Sequence, residues 1–330
     1  MSSIWRKIRR LGEIDHILTL GYHRPQAPHF LPLGSNTWRM VFTTRNKDNH
    51  TVILSADMEW SGKSEFRIAE ASIRPFLPNL VRTKFDRDAT FAGDSTMIDG
   101  KPYLFYSGGV VIDSPPYFEG RMIRLPLSTG MKYDSGHPSG EMVMDLDKAD
   151  PHAMMTPCIY SNGSRYLIWY SSTQYFQQEI VTTLEHNYHI RCAISHDGLN
   201  WCKLPKPAID FDGKGEAGIT RPWVIKTDDH YEMWYSKRGK FSKEDPTLRR
   251  YHIGYACSPD GIDWTRQDHE HRFVGESADA DWDNEMQCYA TILRTQDGRQ
   301  YMFYCGNDYG DGGIGYAERV PEAADDETED

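Results

Sequence analysis

The sequence predicts an all-β fold, a five-bladed β-propeller with four-stranded antiparallel blades around a central funnel, and three observations carry that prediction. Short aromatic-rich runs recur at Trp38–Phe42, Tyr103–Tyr106, Tyr166–Tyr170, Tyr231–Tyr235 and Tyr301–Tyr304, at offsets of 65, 63, 65 and 70 residues. Two near-identical segments, Cys192–Trp201 and Tyr255–Trp264, lie 63 residues apart and share the pattern Ser-x-Asp-Gly-x-x-Trp, with a degenerate copy at Ser55–Trp60 and a truncated one at Gly315–Ala317. No long amphipathic helical pattern interrupts them. One strand pattern recurring five times at near-constant spacing suits radial repetition better than a pair of β-sandwiches.

Each aromatic run reads as a strand, since aromatic and β-branched side chains fit a pleated, half-buried surface. Upstream of each sits another short strand ended by a polar turn, as in Thr156–Tyr160 before Ser161-Asn-Gly, or Arg221–Ile225 before Thr227-Asp-Asp. This is a hairpin signature. In the Ser-x-Asp-Gly-x-x-Trp segments the Asp and Gly suit a tight turn and the Trp suits packing between sheets, so Asp197 and Asp260 read as structural. Residues 1–24 are expected to supply a closing segment, 25–320 the propeller and 321–330 a disordered acidic tail.

Composition agrees with a soluble globular chain: 39% hydrophobic, 12% aromatic and 26% charged residues over 330 positions. The net charge of -11 argues against a nucleic-acid partner, and six acids in the last nine residues account for more than half of it. No apolar run long enough to span a membrane and no signal-peptide pattern is read, which gives an expectation of a cytoplasmic protein without a membrane partner. The six cysteines lack CxxC pairs and no histidine spacing predicts a metal site, so neither a disulfide framework, a metal nor a cofactor is expected. Oligomeric state is not encoded in any pattern read here.

In a propeller the innermost strands line the funnel, so blade-start groups converge regardless of their distance in sequence. The carboxylates in such positions are Asp94, Asp150, Glu216 and Glu285. Cleavage of a glycosidic bond needs one carboxyl to protonate the leaving oxygen and one to activate water or attack carbon, and Glu216, Asp94 and Glu285 are the catalytic candidates. Arg221 could hold an anionic sugar substituent, or brace the funnel as the partner of Glu216. Gln26, His29 and His152 could donate to sugar hydroxyls, while Asp150 and His152, flanking Pro151, equally suit a loop turn. Asn307 and Tyr309 follow the last aromatic run, where an amide and a ring suit a sugar's hydroxyls and apolar face, or simply a Gly-rich turn. Trp169 and Trp234 read as inter-blade packing.

Thr43-Thr44-Arg45, Asp150-Pro, Thr156-Pro, Glu216-Ala with Arg221-Pro, and Glu285-Met with Gly306–Gly310 together make the chain resemble, over nearly all of residues 25–317, propeller proteins related to glycoside hydrolase families 32, 43 and 68. The resemblance implies a carbohydrate or nucleotide-sugar substrate, a setting in polysaccharide biosynthesis, and a substrate-binding role for Arg45. The invertase-like and arabinanase-like members carry an Asp at the start of the first blade, whereas Pro25–Pro32 has no acid. The inner Asp of the third blade is likewise replaced, by Met154-Met155-Thr156-Pro157, unless Asp150 reaches in from upstream. Only Glu216 falls on the blade that supplies the general acid in the arabinanase-like enzymes. The departures put simple hydrolysis in doubt and leave transfer, phosphorolysis, or a non-catalytic sugar-binding or scaffolding role open.

Overall fold

The structure, a computed structural model, describes residues 2–63, 65–77, 84–112, 118–136, 140–178, 184–279 and 281–321. The acidic tail expected from residue 321 onward lies outside them but for Pro321.

Strands dominate, and they pair as successive antiparallel groups. The first is Tyr22–Gly34, Thr37–Asn46, Thr51–Trp60 and Phe66–Ile68; the second begins Ala89–Ile98, Lys101–Val111 and Phe118–Ser128. The third is Ala153–Ser161, Tyr166–Gln178, Leu184–Ser195 and Cys202–Lys203, and the fourth is Glu216–Lys226, Tyr231–Gly239, His252–Ser258 and Thr265–Arg266. The fifth runs Cys288–Arg294, Gln300–Cys305 and Ile314–Arg319, and its next strand comes from the other end of the chain: Ser3–Arg10 pairs antiparallel with Ile314–Arg319 and parallel with His271–Val274. Every aromatic run lies on the second strand of its group, where alternation turns bulky rings toward both neighbouring groups.

The innermost strands share a defect that builds the centre of the molecule. Each breaks register at a corresponding place, between Gln26 and His29, Ala92 and Asp94, Met155 and Cys158, Thr220 and Trp223, and Cys288 and Thr291. A β-bulge bends a strand and frees one N–H from the ladder. Here the freed group is captured by the second strand of the preceding group: Ala92 N donates to Thr43 Oγ1 (2.8 Å), Thr156 N to Ser107 Oγ (2.8 Å), Arg221 N to Ser171 Oγ (3.1 Å), Tyr289 N to Ser236 Oγ (2.7 Å), and Ala27 N to Cys305 Sγ (3.3 Å). The last of these joins the fifth group to the first and closes the ring. Ala27, Thr156, Arg221 and Tyr289 take left-handed backbone at these bulges, with φ of 50°, 50°, 53° and 58°. Such conformations cost about 1–3 kcal/mol each and persist where surrounding bonds over-determine them.

Between groups the packing is aromatic. Trp201 meets Phe105 edge-on (6.4 Å, 80°) and Trp264 meets Trp169 (6.0 Å, 83°), so the tryptophan that ends each Ser-x-Asp-Gly-x-x-Trp turn packs against the preceding group. Asp197 and Asp260 close those turns by accepting backbone N–H groups, and these bonds hold the Asp197 carboxyl well below its usual range. Trp234 and Trp5 both donate to Ser3 Oγ at 2.8 Å, which fastens the N-terminal strand onto the fourth group.

Candidate functional site

The inner strands surround a cavity of about 500 Å³, open at one end of the ring. Its floor is a chain of hydroxyls: Thr156 Oγ1 and Ser171 Oγ are 2.8 Å apart, and Ser171 Oγ and Thr220 Oγ1 are also 2.8 Å apart. One wall is aromatic. Tyr251 packs against Tyr289 (5.5 Å) and edge-on against Tyr309 (5.7 Å, 87°), and its hydroxyl bonds that of Tyr188. Burial pushes the Tyr289 and Tyr309 phenols up, so both stay neutral.

Two guanidinium groups reach the lining. Arg238 lies over the Tyr188 and Phe241 rings (5.4 and 4.6 Å) and donates to Glu185 Oε1 at 2.7 Å, a pair that is 3% and 0% exposed. Arg45 donates only to the Asn49 carbonyl and side chain (3.1 and 3.2 Å), its buried Nε has no partner, and no described carboxylate lies within ion-pairing distance. Burial and the nearby charge of Arg24 lower its pKa. His186 also lines the cavity; burial, then Arg238, bring its pKa down to about 4, so the ring is neutral near pH 7. Among the described lining residues there is no Asp or Glu.

Of the residues anticipated from the sequence, Gln26, Arg45 and Tyr309 line this cavity. His152 stands just behind it, packed on Phe176, whose far side meets His186 (4.8 Å for each contact). The three carboxylates expected to share the funnel do not line it. Glu216, at the outset of its strand and several residues short of the Thr220–Trp223 bulge, is held by Arg266 through both oxygens (2.6 and 2.8 Å) and accepts from Asp212 N. Glu285 pairs with Arg250 at 2.7 Å and is half exposed. Asp94 sits on the axis beneath the floor, where it accepts from Ser95 N (2.7 Å) and Ile159 N (2.9 Å); burial brings its pKa up to about 6 despite those bonds.

Arg221 and His29 join Asp94 in that buried axial layer, because at the bulge the chain turns them away from the cavity. Neither lines it. Asp150 is fully buried as an anchor for Tyr170 (3.1 Å), Lys203 (2.8 Å) and Arg191 (3.4 Å). The same Tyr–Asp tie recurs as Tyr106–Asp86 and Tyr304–Asp283, so it belongs to the repeat. Asn307 braces a loop, accepting from Glu285 N and Met286 N at 2.9 Å and donating to Asp281 O.

Sequence reasoning missed Arg238, His186, Tyr188, Tyr251 and Tyr289. A signal for one of them was present: Arg45, Thr173 and Arg238 each stand seven residues after the first aromatic of their run, and all three line the cavity. Tyr251, in the connection before the third strand of its group, had no such register.

Solved structures that share this arrangement include carbohydrate enzymes. A GH62 α-L-arabinofuranosidase catalytic domain from Coprinopsis cinerea superposes with a TM-score of 0.65 at 11% identity, covering 98% of this chain and 99% of that one. A levansucrase of B. megaterium gives 0.63 at 11% identity over 90% and 81%. The fold is that of the glycoside hydrolase propellers. The resemblance to families 32, 43 and 68 holds at that level, since members of each are among the structural neighbours. No family model matches the chain. In sequence it is 28% identical over 325 residues to an uncharacterized protein of Mycobacterium tuberculosis, covering 95% of this chain and 98% of that one. A stretch of 116 residues is 30% identical to a 1,2-beta-oligomannan phosphorylase of a Thermoanaerobacter species, 34% of this chain and 36% of the enzyme. Among the described residues no helix is long and apolar enough to cross a membrane.

Proposed function

We propose that this propeller is a carbohydrate-active enzyme that moves a glycosyl unit to or from phosphate in its axial cavity. The observation that carries the reading is the cavity's charge: Arg45 faces it with no carboxylate partner, and the described lining contains no acid. Hydrolysis by the usual route requires two carboxyls flanking one bond, about 5–9.5 Å apart. Phosphorolysis needs less from the protein. Hydrogenphosphate brings the attacking oxygen and a proton for the leaving oxygen; the glycosidic C–O bond breaks as a sugar 1-phosphate forms.

Arg45 is suited to the phosphate as an always-charged fork of donors. Gln26, Thr220 and the floor hydroxyls are suited to sugar hydroxyls, and Tyr289 and Tyr309 to the apolar face of the ring. The cavity falls within the range of about 300–1,000 Å³ typical of small-molecule sites. The short match to an oligomannan phosphorylase favours the same chemistry.

The direct test incubates the protein with mannan oligosaccharides and inorganic phosphate and follows phosphate-dependent release of hexose 1-phosphate. Release that needs phosphate supports the reading; sugar release without phosphate contradicts it. A second reading, a non-catalytic sugar-binding propeller in a glycan pathway, draws on the same shortage of acids. It expects saturable binding of a sugar phosphate or nucleotide-sugar with no turnover in either direction.

A further inference from the structure

We infer that a small monovalent anion, chloride in ordinary buffers, binds on the propeller axis beneath the cavity floor, held by the Arg221 guanidinium. Among the described residues Arg221 is the largest charged side chain that is completely buried, at 0% exposure. Its Nη2 donates to Pro28 O (3.0 Å) and Thr291 Oγ1 (3.2 Å), while Nε and Nη1 have no partner. No described carboxylate lies within 4.0 Å of it. A buried guanidinium with two idle nitrogens, which carry three N–H bonds, is unfavourable unless something accepts from them.

The neighbours leave these N–H groups unmet, although the Asp94 carboxylate and the Cys158 and Cys305 thiols lie near enough to act on the charge of Arg221. Asp94 has both oxygens engaged by backbone N–H groups of Ser95 and Ile159. His29 places Nε2 2.8 Å from Ser95 Oγ and leaves Nδ1 without a hydrogen-bond partner, 3.4 Å from Asp94 Oδ1. When the Ser95 hydroxyl donates to Nε2, Nδ1 carries the proton, a further N–H in the same layer. Converging N–H groups beside a fixed positive charge select an anion over a metal cation, and complete burial selects a small one. A water molecule could accept two of the bonds but would add no charge to the guanidinium, and Asp94, the carboxylate that acts on it, stands beyond 4.0 Å. The site lies under the bulges that shape the floor: Pro28 follows the lining residue Ala27, and Arg221 follows the lining residue Thr220. It does not depend on what the cavity itself takes.

The test uses the full-length protein. Crystals grown with bromide replacing chloride at tens of millimolar are expected to give one anomalous peak within hydrogen-bonding reach of Arg221 Nε and Nη1. In parallel, titrating chloride into a gluconate buffer at constant ionic strength is expected to raise the Tm by a few degrees and then saturate, as for any ligand of the folded state. The rise is expected to be absent in Arg221→Met; if that variant does not fold, a matching wild-type response to bromide serves in its place. Ordinary water density at Nε and Nη1, a peak only at molar bromide, or a Tm indifferent to halide overturns the inference.

Discussion

Arg45 and Arg238 face one cavity from the first and fourth groups, and they differ in what stands behind them. Arg238 has Glu185, completely buried at 2.7 Å, and is thereby part of the wall. Arg45 has an asparagine and a carbonyl, so its charge is left for whatever enters. The contrast shows how a propeller can keep the architecture of a two-carboxylate enzyme while its acids serve elsewhere. Glu185 is a counter-ion, Asp150 an anchor, Glu216 a brace between strands and Glu285 a rim contact.

The sharpest way to break this comparison is to treat the two arginines alike. Arg238→Ala is expected to cost about 3–5 kcal/mol in urea unfolding, because it strands a buried carboxylate. Arg45→Gln is expected to leave unfolding within ~1 kcal/mol of wild type and to weaken sugar phosphate binding by about 10- to 100-fold, the loss of a charge-assisted contact. Equal stability losses for the two would show that Arg45 is also structural.

The axial layer adds a pH-dependent contrast. His29 is lowered to about 3 and His186 to about 4 by burial, then by Arg221 and Arg238 respectively. Their contribution to stability is present above the unfolded value of about 6.5 and is lost as pH falls toward 4. Asp94 acts in the opposite sense: its folded pKa of about 6 exceeds the unfolded value, so its contribution is present in acid and lost as pH rises through about 6. The expected result is that Asp94→Asn makes the acid-side loss between about pH 6 and 4 steeper than in wild type, by about 1–3 kcal/mol across the window. Parallel pH profiles from urea titrations would place Asp94 in a more solvated setting than the axis.

At the small end are the rim carboxylates. Glu285→Gln is expected to change stability by less than ~0.5 kcal/mol, since its pair with Arg250 is largely solvated.

The repeat was legible because each blade must present the same strand pattern to the same neighbours: the aromatic runs all fall on second strands, and the Asp-Gly-x-x-Trp turns pack as their residue types suggest. The site was legible only in part. Gln26 and Tyr309 were within reach because they sit at a blade start and just after a strand, and Arg45 was reached only through the family resemblance. The carboxylates were misplaced because strand position alone does not reveal a bulge. The register break within each inner strand decides whether a side chain faces the cavity, as Thr156 and Thr220 do, or the axis below, as Asp94 does. Glu216, several residues upstream, never reaches either. Arg238 was hidden for a different reason: its charge is legible in sequence, but its partner Glu185 comes from another group 53 residues away.

Calorimetric titration with a hexose 1-phosphate, run on wild type, Arg45→Gln and Glu216→Gln, tests the central claim most directly. The account predicts saturable binding in wild type, at least a tenfold loss in Arg45→Gln and an unchanged affinity in Glu216→Gln. Loss of binding in Glu216→Gln with full affinity in Arg45→Gln would contradict it.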